Sequence, residues 1–304
     1  MNLTSQIHPK ISIVTPSFNQ GQFLEQTILS IINQDYPNLE YIIIDGGSTD
    51  NSVDIIKKYE HKLHYWCSES DNGHYDAINK GFSKATGDVF AWLNSDDLYC
   101  PWALQTVGSI FSQHQGLRWL TTLNQLVWDK YGHCVSLKPI PGYSKDAFLA
   151  GCYFSKKGSS LGFIQQESTF WRRCLWKEVD GLNPEYPLAG DFDLWSRFYR
   201  HAELYGTSSP LGGFRIHDRN RSIVMDGYSQ EAERSLKNMR KKAGWKVSFG
   251  AKIAAYALNK TKRNHQMGYF WRKALPKYTA SNVIRDLSDD DNRWKIVTQK
   301  FSGV

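Results

Sequence analysis

The chain has 304 residues, of which 41% are hydrophobic, 14% aromatic and 22% charged, and this ordinary globular composition excludes a fully disordered protein. It contains no apolar run long enough for a membrane-spanning helix, and its first ten residues lack the apolar core of a secretion signal, so we expect a cytoplasmic protein. The five cysteines are widely spaced without a CxxC pair, which argues against a disulfide framework or a structural zinc site.

The net charge of +7 is unevenly distributed along the chain. Residues 231–304 contain 17 Lys and Arg against 6 Asp and Glu, a net charge of +11, whereas residues 1–230 have a net charge of −4. This asymmetry predicts a main body followed by a basic extension. The extension is suited to an anionic surface, either membrane lipid or nucleic acid, and a solvated helical face would show the same pattern.

Short apolar segments alternate with helical patterns over the first 115 residues. The predicted strands cover residues 11–15, 40–45, 63–67 and 88–93, and the predicted helices cover residues 23–34, 51–59 and 74–84. We expect Ser48, Thr49 or Asp50 to cap the second helix, and Pro101 to begin a fourth helix at its first position. This order predicts crossover connections and a mostly parallel sheet in an α/β fold.

The pattern changes after residue 115. Residues 118–128 and 133–138 predict a hairpin, residues 163–171 and 211–217 predict strands, and residues 191–201 predict a helix. The basic extension is predicted to be mainly helical from residue 231 to residue 279.

Polar residues follow each of the first four predicted strands, and ligands of open α/β sheets bind beyond these carboxyl ends. Carboxylates are frequent in these segments and cations are sparse, so an anionic ligand would require a divalent metal. The adjacent Asp96 and Asp97 suit Mg²⁺ or Mn²⁺, although such a pair also fits a turn ahead of a helix. The chain has neither a P-loop nor a dinucleotide-binding glycine pattern.

The segments TPSFNQ, IIIDGGSTDNS, YDAINKGFSKATGD and WLNSDD, in this order, resemble family 2 inverting glycosyltransferases with the A-type fold. The segments IQQESTFWRR, AGDFDLWSRF and FRIH resemble the acceptor half of the same family, and the bacterial surface-polysaccharide branch is the most similar. The resemblance covers residues 11–222. It implies a Rossmann-like A-type fold with a nucleotide-sugar half (residues 1–115), an acceptor half (residues 116–230) and a basic, mainly helical C-terminal extension (residues 231–304).

The resemblance also implies residues for the nucleotide. Thr15 and Pro16 would lie beside the base, and Asp45 would accept a hydrogen bond from it. Gly46 stands where many members have a second Asp. Lys80 belongs to a segment that borders the nucleotide or donor sugar, and it fits a solvated helix charge equally well.

A metal site follows from the same resemblance, with Asn94 replacing the first Asp of the family's DxD-type motif. Asp96 would contact the ribose or a Mn²⁺ or Mg²⁺ ion, and Asp97 would contact the metal-bound diphosphate, with the two roles interchangeable. His217 would complete the metal shell, although an ordinary core or surface histidine fits this position too.

The catalytic base implied by the resemblance is Asp191, which follows Gly190 where the family has Glu. Asp193 is the alternative base, and Asp191 would also serve as an N-cap of its helix.

Four side chains are candidates for the acceptor site: Gln166, Glu167, Trp171 and Trp195. Sugars stack on aromatic rings, but core packing explains the two tryptophans equally well.

We therefore expect a metal-dependent inverting glycosyltransferase that moves a sugar from a nucleotide-diphosphate sugar to a glycan or lipid-linked acceptor in polysaccharide biosynthesis. The basic extension would bring it to the inner face of an anionic membrane. Three alternatives stay open: a nucleic-acid binder acting through the basic extension, a metal-dependent nucleotidyltransferase or hydrolase, and a non-catalytic nucleotide-binding scaffold. The acidic strand ends disfavour nucleic acid as a partner.

Overall fold

The computed structural model describes residues 8–154, 161–218, 220, 225–246, 277–285 and 293–302. Its N-terminal part alternates strands and helices as predicted. The elements are β1 (Ile11–Ser17), α1 (Gly21–Ile32), β2 (Leu39–Asp45), α2 (Ser52–Tyr59), β3 (Tyr65–Ser68), α3 (His74–Lys84) and β4 (Val89–Trp92).

The second part is more irregular and mixes short strands with helices. Its first elements are β5 (Leu98–Tyr99), α4 (Ala103–Gln113), β6 (Trp119–Thr122), β7 (Asn124–Trp128), β8 (Cys134–Pro139), α5 (Lys145–Ala150), β9 (Phe170–Arg172) and α6 (Arg173–Glu178). They are followed by α7 (Gly190–Phe198), β10 (Leu204–Thr207), β11 (Gly212–Arg215), α8 (Met225–Lys242), β12 (Lys277–Arg285) and β13 (Trp294–Ser302). The predicted hairpin is confirmed only from residue 124 onward, as the antiparallel pair β7 and β8. Residues 119–122, which were predicted to belong to its first strand, form β6 of the central sheet instead.

A nine-stranded sheet with the order β13-β12-β10-β6-β9-β4-β1-β2-β3 forms the centre of the protein. Five of its eight strand pairs are parallel, and β9 lies antiparallel between β4 and β6. This mostly parallel sheet confirms the predicted α/β fold. A smaller sheet with the order β5-β11-β7-β8 lies beside it.

The central sheet is covered on both faces, as parallel sheets usually are. Alternate residues of one strand enter different hydrophobic clusters: Ile13 of β1 packs with Leu24 and Phe111 on one face, whereas Val14 packs with Phe82 on the other. The near-continuous apolar strands of the sequence are explained by this two-sided burial.

Four buried tryptophans, which we call the tryptophan core, join α7 to the central sheet: Trp92, Trp119, Trp171 and Trp195. Trp195 of α7 stacks on Trp92 with ring centroids 5.9 Å apart and on Trp119 with ring centroids 5.5 Å apart, and Trp171 contacts Trp92 edge to face. None of the four is more than 1% exposed. They therefore fix the position of α7, whose first turn contributes to the cavity described below.

Several predicted boundaries differ from the structure. Helix α4 begins at Ala103, because Pro101 lies in the preceding turn, and α2 has no side-chain cap, although the Asp50 carboxylate accepts a hydrogen bond from the Ser52 amide. The predicted strand 163–171 is reduced to β9, preceded by a 3-10 turn at Gln166–Ser168.

The C-terminal extension contains strands that the sequence analysis did not predict. Beyond α8, which crosses residue 230, strand β12 pairs parallel with β10, and β13 pairs antiparallel with β12. The predicted helix to residue 279 is therefore wrong at its end, where β12 has begun. Residues 247–276 lie outside the described residues. No helix in the described ranges is both long and apolar enough to cross a membrane.

A close approach of α3 to β1 gives a test of this packing. A Cβ atom at Gly81 would lie 2.4 Å from Val14 Cγ1, whereas a Cβ atom at Gly116 would have no heavy atom within 4 Å. We expect Gly81→Ala to lower the free energy of unfolding by about 1–3 kcal/mol through overpacking. The control Gly116→Ala should change it by less than about 0.5 kcal/mol. Urea denaturation measures both, and equal effects would contradict the close approach.

Candidate active site

A cavity of about 680 Å³ opens at the carboxyl ends of the parallel strands. Its walls come from the segments that follow β1, β2, β3 and β4, from the start of α7, and from β11 and α8. Of the predicted site residues, Pro16, Asp96 and Asp191 line it. The acidic residues of the lining are Asp71, Asp96 and Asp191, and among its described residues there is no Lys or Arg.

Asp45 shapes the floor of the cavity without lining it. This buried carboxylate accepts hydrogen bonds from the Ser48 amide at 2.8 Å, the Ser48 hydroxyl at 2.5 Å and the Ser68 hydroxyl at 2.7 Å. These bonds fold the turn that begins at Gly46, and Gly46 itself faces the cavity. Asp45 is therefore bonded within the protein, to Ser48 and Ser68, and its predicted hydrogen bond to the base stays a prediction.

The missing side chain at Gly46 leaves room for Asp71. A Cβ atom at Gly46 would lie only 2.9 Å from Asp71 Oδ2. The other oxygen, Asp71 Oδ1, accepts a hydrogen bond from the Gly73 amide at 2.8 Å, and the positive φ of Gly73 (104°) permits this turn. Asp71 lies in one of the polar segments that follow the predicted strands, but no local pattern distinguishes it from its neighbours.

Besides Asp45, two further predicted nucleotide residues lie outside the cavity wall. Thr15 is buried within β1, where its hydroxyl accepts a hydrogen bond from Tyr41 at 3.1 Å. Lys80 forms an ion pair with Glu69 at 2.6 Å on the surface of α3. The neighbouring Phe18, by contrast, lines the cavity and is 60% exposed.

Asp96 and His217 form a pair at the cavity. Asp96 Oδ2 lies 2.9 Å from His217 Nε2, and the Asp96 side chain is 16% exposed. The ring of His217 packs on Phe23 of α1 with ring centroids 4.4 Å apart. Because β11 ends just before His217, the small sheet brings this histidine to the end of β4.

Asp97 is fully buried beneath this pair. Its Oδ1 accepts a hydrogen bond from the Arg215 amide at 2.8 Å, and its Oδ2 accepts one from Asn94 Nδ2 at 2.9 Å. Burial, together with the nearby Glu167, raises the pKa of Asp97 well above its ordinary value. Asn94 thus supplies a donor where a carboxylate would repel Asp97, and Asp97 does not line the cavity.

The arrangement around Asp96 fits a divalent cation only when a substrate supplies further ligands. Among the described residues, no three His, Cys, Asp or Glu side chains are grouped to hold a metal. Asp96 is the carboxylate that lines the cavity, whereas His217 does not line it. The His217 side chain is 1% exposed, and its Nε2 lies 2.9 Å from Asp96 Oδ2 and 3.0 Å from Asn220 Nδ2. Mg²⁺ and Mn²⁺ sites of this type take their remaining ligands from phosphates and water.

Asp191 lies in the first turn of α7 and faces the cavity from the opposite wall. Its Oδ2 is 3.4 Å from the Tyr228 hydroxyl, and its Oδ1 is shielded from solvent without a hydrogen-bond partner in the described part of the chain. Removal from water raises the pKa of Asp191 to about 6. At neutral pH this carboxylate is therefore ionised and able to accept a proton.

Asp193, the alternative base, has a different environment. It is 5% exposed, and its carboxylate accepts hydrogen bonds from Arg197 Nε at 2.7 Å and from the Ser235 hydroxyl at 2.9 Å. Both oxygens are therefore committed to contacts that join α7 to itself and to α8, and Asp193 does not line the cavity.

The four predicted acceptor residues are buried and do not line the cavity. Trp171 and Trp195 belong to the tryptophan core, and Gln166 donates a hydrogen bond to the Trp92 carbonyl at 2.5 Å. Burial raises the pKa of Glu167 to about 7, and the nearby Asp191 adds to this effect.

Two aromatic residues near Asp191 were missed. Tyr75 lies in the quoted YDAINKGF segment, and Tyr228 lies in α8, close to the predicted boundary at residue 230. Nothing in the local sequence marks Tyr228, because only the packing of α8 on α7 brings it to the cavity.

Residues 12–115 match the family model of Glycosyl transferase family 2. An uncharacterized glycosyltransferase of Rickettsia typhi is 26% identical over 211 residues, which is 69% of this chain and 65% of that protein. One from Mycobacterium tuberculosis is 41% identical over 92 residues, which is 30% of this chain and 35% of that protein. This chain thus spans less than two thirds of the Rickettsia typhi relative, and its match with a Rickettsia conorii relative covers 37% of that protein.

Solved structures show the same fold. S. aureus TarS 1–349 in complex with UDP-GlcNAc superposes with a TM-score of 0.59 at 18% identity, covering 88% of this chain and 79% of that chain. A mannosyltransferase from Pyrobaculum calidifontis in complex with GDP-Man and Mn²⁺ gives a TM-score of 0.52 at 14% identity, covering 88% and 86%. At these identities the likeness concerns the fold alone.

The different surroundings of the two aspartates in α7 predict different effects on stability. Asp193→Asn breaks a buried ion pair with Arg197 and should lower the free energy of unfolding by about 3–5 kcal/mol. Asp191→Asn removes a desolvated carboxylate that has no cationic partner, so it should cost less than about 1 kcal/mol or stabilise the protein. Urea denaturation at pH 8 compares the two variants. A larger loss for Asp191→Asn would mean that the two environments are assigned the wrong way round.

Proposed function

We propose that the chain is a family 2 glycosyltransferase, the family whose model its residues 12–115 match, and that it transfers a sugar from a nucleotide-diphosphate sugar to a hydroxyl group. In this proposal the acceptor is a glycan or a lipid-linked acceptor of polysaccharide biosynthesis, and the reaction inverts the anomeric carbon. Asp191 is the general base.

The observation that carries this proposal is the position of Asp191. Its carboxylate faces the same cavity as Pro16, Gly46 and Asp96, which come from the strand ends expected to bind the nucleotide. Its pKa of about 6 suits a base that must be ionised at neutral pH yet still accept a proton. A cavity of about 680 Å³ is large enough for a nucleotide sugar and part of an acceptor.

The reaction is a single displacement. Asp191 accepts the proton of the acceptor hydroxyl as the oxygen forms a bond to the anomeric carbon of the donor. The bond from that carbon to the diphosphate oxygen breaks at the same time, and its electron pair leaves with the nucleoside diphosphate. Because attack comes from the face opposite the leaving group, the anomeric configuration inverts.

The leaving diphosphate would be held at the acidic wall of the cavity. Asp96 and His217 would bind a Mn²⁺ or Mg²⁺ ion there, and such an ion neutralises the charge that develops on the diphosphate. Without a cation, Asp71 and Asp96 would repel the diphosphate. We assign Asp97 a supporting role instead, because its two oxygens are bonded to Arg215 and Asn94.

The basic extension remains a separate proposal. Residues 247–276 contain six Lys and Arg and no Asp or Glu, a composition that suits an anionic membrane surface. These residues lie outside the described part of the chain, so binding of the enzyme to the inner face of the cell membrane stays a prediction from sequence.

We expect Asp191→Asn to lower turnover by about 10²–10⁴-fold, the usual contribution of a general base. Binding of the nucleoside diphosphate should be unchanged, because the substitution leaves the strand-end wall intact. In the wild type, kcat should fall about tenfold per pH unit well below pH 6, since protonated Asp191 cannot accept a proton, and should level off above pH 7.

The measurement is the release of nucleoside diphosphate from UDP- and GDP-sugars between pH 5 and 8, with methyl glycosides as acceptors. Asp193→Asn, assayed as the fraction that is folded, is the matched control and should retain turnover. Near wild-type turnover in Asp191→Asn would refute the assignment of the base.

The donor site predicts metal-dependent binding of a nucleoside diphosphate. A thermal-shift series with UDP, GDP and their sugars, each with and without Mn²⁺, should show a higher melting temperature for one nucleotide only when metal is present. Asp96→Asn should abolish this shift while its own melting temperature stays close to that of the wild type. Asp97→Asn should instead lower the melting temperature before any ligand is added, because Asp97 joins the segment between β4 and β5 to β11. An unchanged shift in Asp96→Asn would exclude Asp96 as a metal ligand.

A further inference from the structure

Helix α8 presents one polar face to the start of α7. Tyr228, Glu231 and Ser235 are spaced three and four residues apart, and residues at this spacing lie on the same side of a helix. Each contacts the segment around Asp191: Tyr228 approaches Asp191 itself, Glu231 contacts the turn before α7, and Ser235 donates to Asp193.

Glu231 makes the shortest of the contacts to the turn that precedes Asp191. Its Oε2 accepts hydrogen bonds from the Leu188 amide at 2.9 Å and the Ala189 amide at 2.8 Å. The residue at the N-cap of α7 is Ala189, which has no side chain able to cap the helix. The Glu231 carboxylate, from a different helix, instead binds the amide of this N-cap residue and the amide before it. The positive end of the helix dipole favours negative charge at this position.

The same turn is also held from the side of α3 and approached closely by α8. The Tyr75 hydroxyl donates to the Leu188 carbonyl at 3.0 Å, and a Cβ atom at Gly190 would lie 2.7 Å from the Tyr75 ring. A Cβ atom at Gly227 would lie 2.5 Å from Leu188 Cδ1, so this glycine allows α8 to approach.

We propose that Glu231 is a positioning residue for the general base: by binding the Leu188 and Ala189 amides, it fixes the first turn of α7 and hence the Asp191 carboxylate. This inference rests on the proposed role of Asp191. Glu231 acts through the backbone two and three residues before the base. Reaction rates are sensitive to such small displacements, because a shift of about 1 Å in a reacting group costs about 10²-fold.

Substitutions at Glu231 can separate the effect of its side-chain length from the effect of its negative charge. Glu231→Gln keeps an oxygen at the same distance, so kcat should stay within about threefold of the wild type, in line with the small net value of one hydrogen bond. Glu231→Asp keeps the charge but shortens the side chain by one methylene, and Glu231→Ala removes the acceptor. Both should lower kcat by about 10- to 100-fold while the KM for the donor and the Mn²⁺-dependent thermal shift by nucleotide change less than about twofold.

Ser235→Ala is the matched control, because it removes a hydrogen bond from the same face of α8 to α7 one turn beyond Glu231. It should lower the melting temperature yet leave kcat unchanged. Hydrogen exchange gives a readout that needs no substrate: the amides of residues 188–190 should exchange faster in Glu231→Asp and Glu231→Ala, and at the wild-type rate in Ser235→Ala.

The outcomes separate this inference from the proposed function. If Asp191→Asn abolishes nucleoside diphosphate release but Glu231→Asp and Glu231→Ala retain wild-type kcat, the positioning role is overturned and the base stands. If Glu231→Asp is active and Glu231→Gln is not, charge alone matters and the positioning role is overturned as well. If Asp191→Asn retains turnover, the proposed function itself fails. If Glu231→Ala does not fold, comparing kcat of Glu231→Asp with kcat of Glu231→Gln still tests the positioning role.

Discussion

The candidate site depends on the buried carboxylate of Asp97. Its hydrogen bond to the Arg215 amide joins the segment between β4 and β5 to β11, the strand that also pairs with β5 in the small sheet. A carboxylate removed from water is costly unless donors satisfy it, and here Asn94 and Arg215 do so. The bond sets Asp96, one residue earlier, beside His217, two residues after Arg215. This contact and the β5–β11 pairing thereby bring together residues that are far apart in the sequence, of which Asp96 lines the cavity.

The opposite wall is built by helix packing. The tryptophan core sets the position of α7 against the sheet, and α8 then supplies Tyr228 and Glu231 to its first turn. The change in net charge near residue 230 predicted that the main body ends there. Helix α8 crosses this boundary and still contributes to the cavity, so net charge did not locate the end of the part of the chain that forms the site. The net charge of a segment describes it only on average. The contribution of α8 to the cavity depends instead on which of its faces contacts α7.

The N-terminal crossover units were predictable because their strands are buried on both faces and their carboxyl ends meet at one edge. Asp96 and Asp191 could be found in this way or by resemblance, and both line the cavity. Asp71 and Tyr228 could not, because their positions depend on a side chain missing at Gly46 and on contacts more than 30 residues away. Trp171 and Trp195 were predicted to bind the acceptor but are buried in the core. Their residue type could not distinguish the two roles, because an aromatic ring that stacks on a sugar also packs well in a hydrophobic core. The β12–β13 hairpin was missed because half-buried strands have a weaker apolar pattern.

That hairpin also decides what the far edge of the central sheet exposes to other chains. Strand β12 covers β10, and β13 covers β12. Among the residues that the structure describes, β13 is therefore the edge strand, and it carries Lys295 and Lys300. Charged lysines on an edge strand discourage pairing with a strand of another molecule. A chain shortened before residue 277 would present the backbone of β10 instead, a strand without a charged side chain. From this pairing we expect a chain shortened before residue 277 to self-associate more readily than the full chain.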